Sequence, residues 1–362
     1  MSRKETMIGD RIQQARKASG LSMRDLAQKA DISAMAISKY ESNKNTPSSK
    51  VLLALSKALG VRTEYFFRQA KLELKDVEYR KHSALPKKVL QRIEGDVIEQ
   101  IERFLELEEI LPNNPIIDFS LPEGISSNIE SYDEIESVAN SIREDWGLGF
   151  NPIPDLIDTF EEYGIKVFQS LMPHDEKFDG LAAQINGTPV IVVGKDWPGD
   201  RQRFTLAHEL GHMALHGRIS SELDEEKAAN RFAGAFLVPS REAIKELGES
   251  RSWLEPAELH ALKHTYGLSM RGWIYRASDL GILNQSSARK MWTYFYQNKW
   301  VKTEPGKQLQ AEEPKLFKQL VFHALAEDLI GESKAAELLH MPIINFRQLR
   351  KVGSSEQEAI NK

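Results

Sequence analysis

At 362 residues, with no cysteine and no apolar run of about 18 or more, the chain excludes a disulfide-stapled scaffold, a thiolate metal site and a membrane-spanning helix. Hydrophobic residues at 41% and charged residues at 28% are those of a soluble globular protein, and the length fits two or three domains. The net charge of -5 is uneven: residues 1–70 carry 13 Lys and Arg against 6 Asp and Glu, which leaves 35 against 47 for the remainder. A basic first segment ahead of an acidic body points to a nucleic-acid-facing module joined to a unit with other work. The N-terminal stretch MSRKETMIGD lacks an apolar signal region, so the expected location is cytoplasmic, with no membrane partner.

Residues 8–68 read as a bundle of five short helices. Apolar residues recur at helical spacing in Ile8, Ile12 and Ala15, in Leu26, Ala27 and Ala30, and in Leu52, Leu55 and Leu59. Within it, GLSMRDLAQKADISAMAISKYESNKNTPS has the layout of a helix-turn-helix. Leu26 and Ala27 face inward, Ala30-Asp31-Ile32 makes a tight corner, and Ser33 caps the second helix. Small Ala27 suits a close helix crossing, and Ile37 supplies the core contact of the second helix. That leaves Ala34, Met35, Ser38 and Lys39 outward, with Ser33 at the helix start, to meet base edges in the major groove. Arg24, Asn43 and Lys44 sit where phosphate contacts are useful. A bundle used only for protein contacts is the bland alternative.

The stretch 8–68 resembles the XRE-type regulators related to phage repressors, through LSMRDLA, SAMAIS and LGV. The resemblance implies operator DNA as partner, a possible homodimer on a palindrome, and base-reading positions at Ala34, Met35, Ser38 and Lys39. Two of these are apolar, so specificity would either rest on thymine methyls or be poor.

Residues 69–130 are highly charged, with a helix expected over 88–110 and a break at LPNNP. Helices are then expected over 133–146 and 153–163, strands over 165–170, 181–185 and 190–193, and helices over 200–216 and 222–236. Residues 255–351 read as mainly helical, broken at Gly267, Gly281 and Pro305.

The segment RQRFTLAHELGHMALHG holds His-Glu-x-x-His. Positions i and i+4 share a helix face, so His208 and His212 can grip one ion while Glu209 projects beside it. Phe204, Leu206 and Leu215 supply apolar faces, and Gly211 lets another segment approach closely. His216 lies roughly 12 Å along the axis from His208, too far for the same ion. Metzincin spacing is absent, because Arg218 occupies the third position. A third ligand must come from elsewhere, and the next helix offers Glu225 and Glu226.

Residues 133–250 resemble the ImmA/IrrE family of metallo-endopeptidases through RQRFTLAHELGHMALH and EKAANRFAGAFLVP, with DGLAAQINGTPVIVV as the accompanying strand pair. The resemblance implies Zn2+ and peptide hydrolysis, with zinc activating a water whose proton Glu209 takes. Glu226 is the expected third ligand, since it shares a helical stripe with Ala229 and Ala233, whereas Glu225 is rotated about 100° away. Glu222, one turn earlier, is the stronger competitor. Asn230, one turn after Glu226, is placed to hydrogen-bond a ligand histidine. Tyr266, His260 and His264 are candidate oxyanion donors, with no choice made among them.

The expected fold is multi-domain and mainly α. It comprises a helix-turn-helix domain at 1–70, a linker with a helix at 71–130, an α+β zincin-like peptidase domain with a small sheet at 131–250, and a helical region at 251–362. In that last region, LKHTYGLSMRGWIYRASDLGIL and ESKAAELLHMPIINFRQL have a helix-turn-helix cadence. Recognition of a protein or nucleic acid is one reading, but the one adopted is packing that buttresses the peptidase. The aromatic stretch from Trp273 to Trp300 reads as core. The expected function is a transcription regulator fused to a zinc endopeptidase that cleaves an XRE-type repressor. The alternative is an antitoxin that neutralises a toxin, and a third possibility is self-cleavage within 69–130.

Overall fold

The computed structural model of the chain describes residues 8–61, 63–67, 87–112, 117–170, 180–185 and 187–351. Of the expected linker, 71–86 and 113–116 lie outside these. The described residues form two units, one of 8–112 and 315–351, the other of 117–314.

The first unit opens with α1 (Ile8–Ala18), α2 (Met23–Lys29), α3 (Ala34–Glu41) and α4 (Ser49–Leu59), followed by a 3-10 turn at Thr63–Phe67 as the fifth element. Caps set the boundaries. Ser22 and Asp25 form a capping box on α2, Ser33 and Ser48 accept from the N–H groups of Ala36 and Val51 in the first turns of α3 and α4, and Gly60 ends α4 at φ 72°. Ile12, Leu26, Ile37 and Leu55 are fully buried at the centre. Arg16 grips Glu41 through two hydrogen bonds of 2.5 and 2.8 Å, tying α1 to α3.

Helix α5 (Lys87–Ile110) packs along α1. Gly95 permits the approach, because a Cβ there would sit 2.6 Å from the Ala18 Cα, and Arg11 meets Glu102 across the same seam at 2.6 Å, both buried.

The second unit contains α6 (Tyr132–Asp145), α7 (Leu156–Glu162), β1 (Lys166–Ser170), β2 (Gly180–Ile185) and β3 (Thr188–Gly194). After these come α8 (Gly199–Leu215), α9 (Glu225–Leu237), α10 (Ser240–Leu247), α11 (Pro256–Tyr266), α12 (Met270–Asp279) and α13 (Gln285–Gln297). The sheet order is β1-β3-β2, with β1 parallel and β2 antiparallel to β3. One apolar core joins the sheet to α6–α13, and it includes Trp273 and Phe295, while Tyr275 and Tyr296 are exposed.

An extended segment, 304–312, fastens the start of α8. Buried Lys263 holds Asp200, Glu304 and Gln308 at 3.1, 3.0 and 3.1 Å. The Gly199 N–H donates to the Leu309 carbonyl at 2.9 Å. Glu312 pairs with Arg203 and accepts from the N–H groups of Leu156 and Ile157 at 2.9 and 3.0 Å, which caps α7.

Helices α14 (Leu316–Ala326), α15 (Glu332–Leu338) and α16 (Ile343–Arg350) belong to the first unit. This corrects the expectation that ESKAAELLHMPIINFRQL buttresses the peptidase. Phe317 instead stacks on Phe104 of α5, and Arg103 donates to the Leu338 carbonyl at 2.9 Å. The other cadence, α11–α12, does lie in the core of the second unit, where Arg276 binds the Val238 carbonyl at 2.8 Å and pairs with Glu136.

Candidate metal centre and helix-turn-helix surface

The four-residue spacing of His208 and His212 on α8 brings their Nε2 atoms within 2.8 Å. Asp224 caps α9, so Glu226 falls in its first turn and reaches back to the pair. Its carboxylate oxygens lie 3.6 Å from His208 Nε2 and 3.4 Å from His212 Nε2. The three potential ligand atoms are within 4.8 Å of one another. Two imidazoles and one carboxylate form a donor set suited to zinc. His208 is buried at its core side, whereas the Glu226 side chain is 40% exposed, so the cluster opens outward.

Asn230 Oδ1 accepts from His208 Nδ1 at 2.8 Å. That bond keeps the proton on Nδ1 and leaves the Nε2 lone pair directed into the cluster. Glu209 is 3% exposed beside the pair. Gly180, at the start of β2, is needed here: an added Cβ would lie 2.5 Å from Thr205 Cγ2, 3.0 Å from the Val192 carbonyl and 3.9 Å from Glu209 Oε1. The strand therefore begins hard against α8 alongside Glu209. Gly211 gives the close approach expected of it, since a Cβ there would meet Phe232 of α9 at 3.0 Å.

The other carboxylates are placed differently. Glu222 precedes the cap, so the helix does not carry it, and Glu225 occupies the first helical position. His216 is the C-terminal cap of α8. Two of the candidate oxyanion donors are engaged elsewhere: the Tyr266 hydroxyl donates to Glu246 at 3.0 Å, with Glu242 3.4 Å away, and burial pushes its phenol well above the usual range. His264 Nε2 meets the Lys307 carbonyl at 3.0 Å, and the His260 ring lies against Gly306.

In the first unit, the outward face of α3 presents Met35, Ser38 and Lys39 in exposed positions with Ala34 half-buried. Arg24 and Lys44 are also exposed. Ser33 accepts from the Ala36 N–H at 3.1 Å. The Asn43 side chain is committed to α1, accepting from the Gly9 N–H at 2.9 Å and donating to Asp10 at 3.0 Å. Spacing alone missed Gly180, Arg203 and Glu312, which position the cluster from outside it. Only the glycine opening DGLAAQI carried a signal.

The two units thus define a class, a helix-turn-helix joined to a peptidase-like domain. Residues 12–66 match the family model for the helix-turn-helix, and residues 160–278 match that of the IrrE N-terminal-like domain, the M78 peptidases. A search of the curated proteins found no match to the chain. The matched segments account for the DNA-binding and peptidase parts of the fusion, and M78 peptidases are typically metal-dependent. Among the described residues, no helix is long and apolar enough to cross a membrane.

Proposed function

We propose that the chain is a cytoplasmic zinc-dependent endopeptidase tethered to an operator-binding helix-turn-helix, and that it cleaves a regulatory protein of the repressor type. The convergence of His208, His212 and Glu226 beside Glu209, inside the segment similar to the IrrE N-terminal-like domain, carries this reading. His208, His212 and Glu226 would hold the metal, with Asn230 orienting His208. When bound, zinc supplies Lewis acidity and a position for water. Glu209 then takes the attacking water's proton on its carboxylate and returns it to the departing amine nitrogen. Substrate would lie extended along β2, the one of the two edge strands in the order β1-β3-β2 whose first residue adjoins Glu209. Backbone pairing at such an edge favours a flexible segment over a folded one.

The test is incubation of the zinc-loaded protein with a repressor-type partner encoded nearby, with and without EDTA. Cleavage should occur once zinc is present and stop on chelation. Binding of a neighbouring toxin with no cleavage by any preparation would favour the antitoxin function instead.

A further inference from the structure

Helices α15 and α16 repeat the geometry of α2 and α3. Each pair joins a helix of seven residues to one of eight. In the first pair the turn is closed by Ala30 N–H to Leu26 O at 2.9 Å and Ile32 N–H to Ala27 O at 3.0 Å. In the second it is closed by Leu339 N–H to Ala335 O and Met341 N–H to Ala336 O, both at 3.0 Å. The corner residue is left-handed in both, Asp31 at φ 53° and His340 at φ 52°.

Burial repeats at the same offset. Ala27 and Ala336, where the helices cross, are buried, and Ile37 and Phe346 are fully buried. Phe322 of α14 stacks on Phe346 at 5.8 Å, closing a small core beneath the pair. Met35 is 69% exposed and its counterpart Ile344 is 67% exposed. The counterparts of Ser38 and Lys39 are Arg347 and Gln348, also exposed.

We propose that α15 and α16 form a second DNA-binding helix-turn-helix, with α16 entering the major groove of double-stranded DNA through Ile344, Arg347 and Gln348. The chemistry of the face selects DNA over a protein partner. No acidic residue occurs from Leu338 to Lys351, a stretch that carries Arg347, Arg350 and Lys351. Arg and Gln are side chains that hydrogen-bond two atoms of a guanine or adenine edge at once, and an exposed isoleucine can meet a thymine methyl. Arg347 and Arg350 rest on Glu332, but exposed ion pairs of this kind are weak and yield to phosphate. Helix α5 supports both pairs, holding α1 through Arg11–Glu102 and α15 through Lys334–Glu106 at 2.5 Å. Two reading helices would thus act from one folded unit.

The test uses the full chain and a duplex of about 40 base pairs selected by the wild-type protein from a random-sequence pool. Wild type should protect two separate blocks in a hydroxyl-radical footprint. Arg347→Ala with Gln348→Ala should remove one block and weaken binding at least about tenfold, since each two-point base contact contributes roughly 1–3 kcal/mol. Ser38→Ala with Lys39→Ala should remove the other. All four side chains are exposed, so the variants should melt as wild type does, and Arg347→Lys should keep the salt dependence while losing the base preference. An Arg347/Gln348 variant with unchanged footprint and affinity overturns the second site, whether or not the α3 variant loses its block.

Discussion

His208 Nδ1 lies 2.8 Å from Asn230 Oδ1, one turn of α9 beyond Glu226. The same helix therefore supplies a carboxylate to the cluster and a fixed tautomer to the histidine beside it. Asn230→Ala should lower zinc affinity about 10- to 100-fold while leaving the fold intact, and Asn230→Asp, which keeps an acceptor, should restore much of it. Competition with a chromophoric chelator measures both.

Replacing Glu222, Glu225 and Glu226 singly by Gln separates the three carboxylates. Only Glu226 approaches both histidines, so only Glu226→Gln should lose zinc substantially. Retention there with loss at Glu222 would falsify the ligand set.

Glu209→Gln should retain about one zinc per chain, because the side chain handles protons and is not among the three ligands. Cleavage of a repressor-type partner should fall by at least about a hundredfold, the scale of general-base catalysis. Equal cleavage rates for variant and wild type would remove Glu209 from the mechanism.

Glu312→Ala should destabilise the peptidase unit far more than its loop position suggests. It leaves Arg203, 5% exposed at its side chain, without a carboxylate, and uncaps α7. Breaking a buried pair costs about 3 kcal/mol, which for a unit of this size is a fall of roughly 6–12 °C in Tm. Arg251→Ala, which breaks the half-exposed pair with Glu258, should shift stability by less than about 1 kcal/mol. Differential scanning calorimetry of the two variants makes the comparison.

The Arg347 hydrogen bond, helped by Arg350, holds the Glu332 carboxyl below its ordinary 4.5. A carboxyl lowered in the folded state stabilises the fold above its unfolded value, and that contribution is lost as pH falls through the folded one. The contribution of this exposed pair, small as it is, should therefore be lost only below about pH 4.5. Arg347→Ala should move the Glu332 titration upward, as read from its carboxyl resonance by NMR.

Much of the cluster was legible because its geometry is local. Two histidines four apart must share a helix face, and Glu226 follows from the stripe of Ala229 and Ala233 on the next helix. The elements of the N-terminal bundle were legible through their apolar spacing and the Ser33 cap, whereas the caps Ser22 and Ser48 carried no such reading in the sequence. The starts of α7 and α9 fall later than the spacing implies, because Asp155 and Asp224 cap them inside the expected ranges. The fastening of α8 was hidden for a different reason. Arg203 finds its partner 109 residues later in a segment with no periodicity, so neither residue signals the other. Likewise, the hydrophobic pattern of α14–α16 specifies a packed face but not which unit receives it.

The return of α14–α16 to α5 makes the peptidase an insertion within the DNA-binding unit. A nick in residues 113–116 leaves the halves joined through 314–315. A nick in 69–86 leaves α1–α4 seated on α5 by Arg11–Glu102 and the packing around Gly95. Self-cleavage in 69–86 or 113–116 would therefore yield a clipped complex that keeps both units together, detectable as two fragments on a denaturing gel but one species in solution.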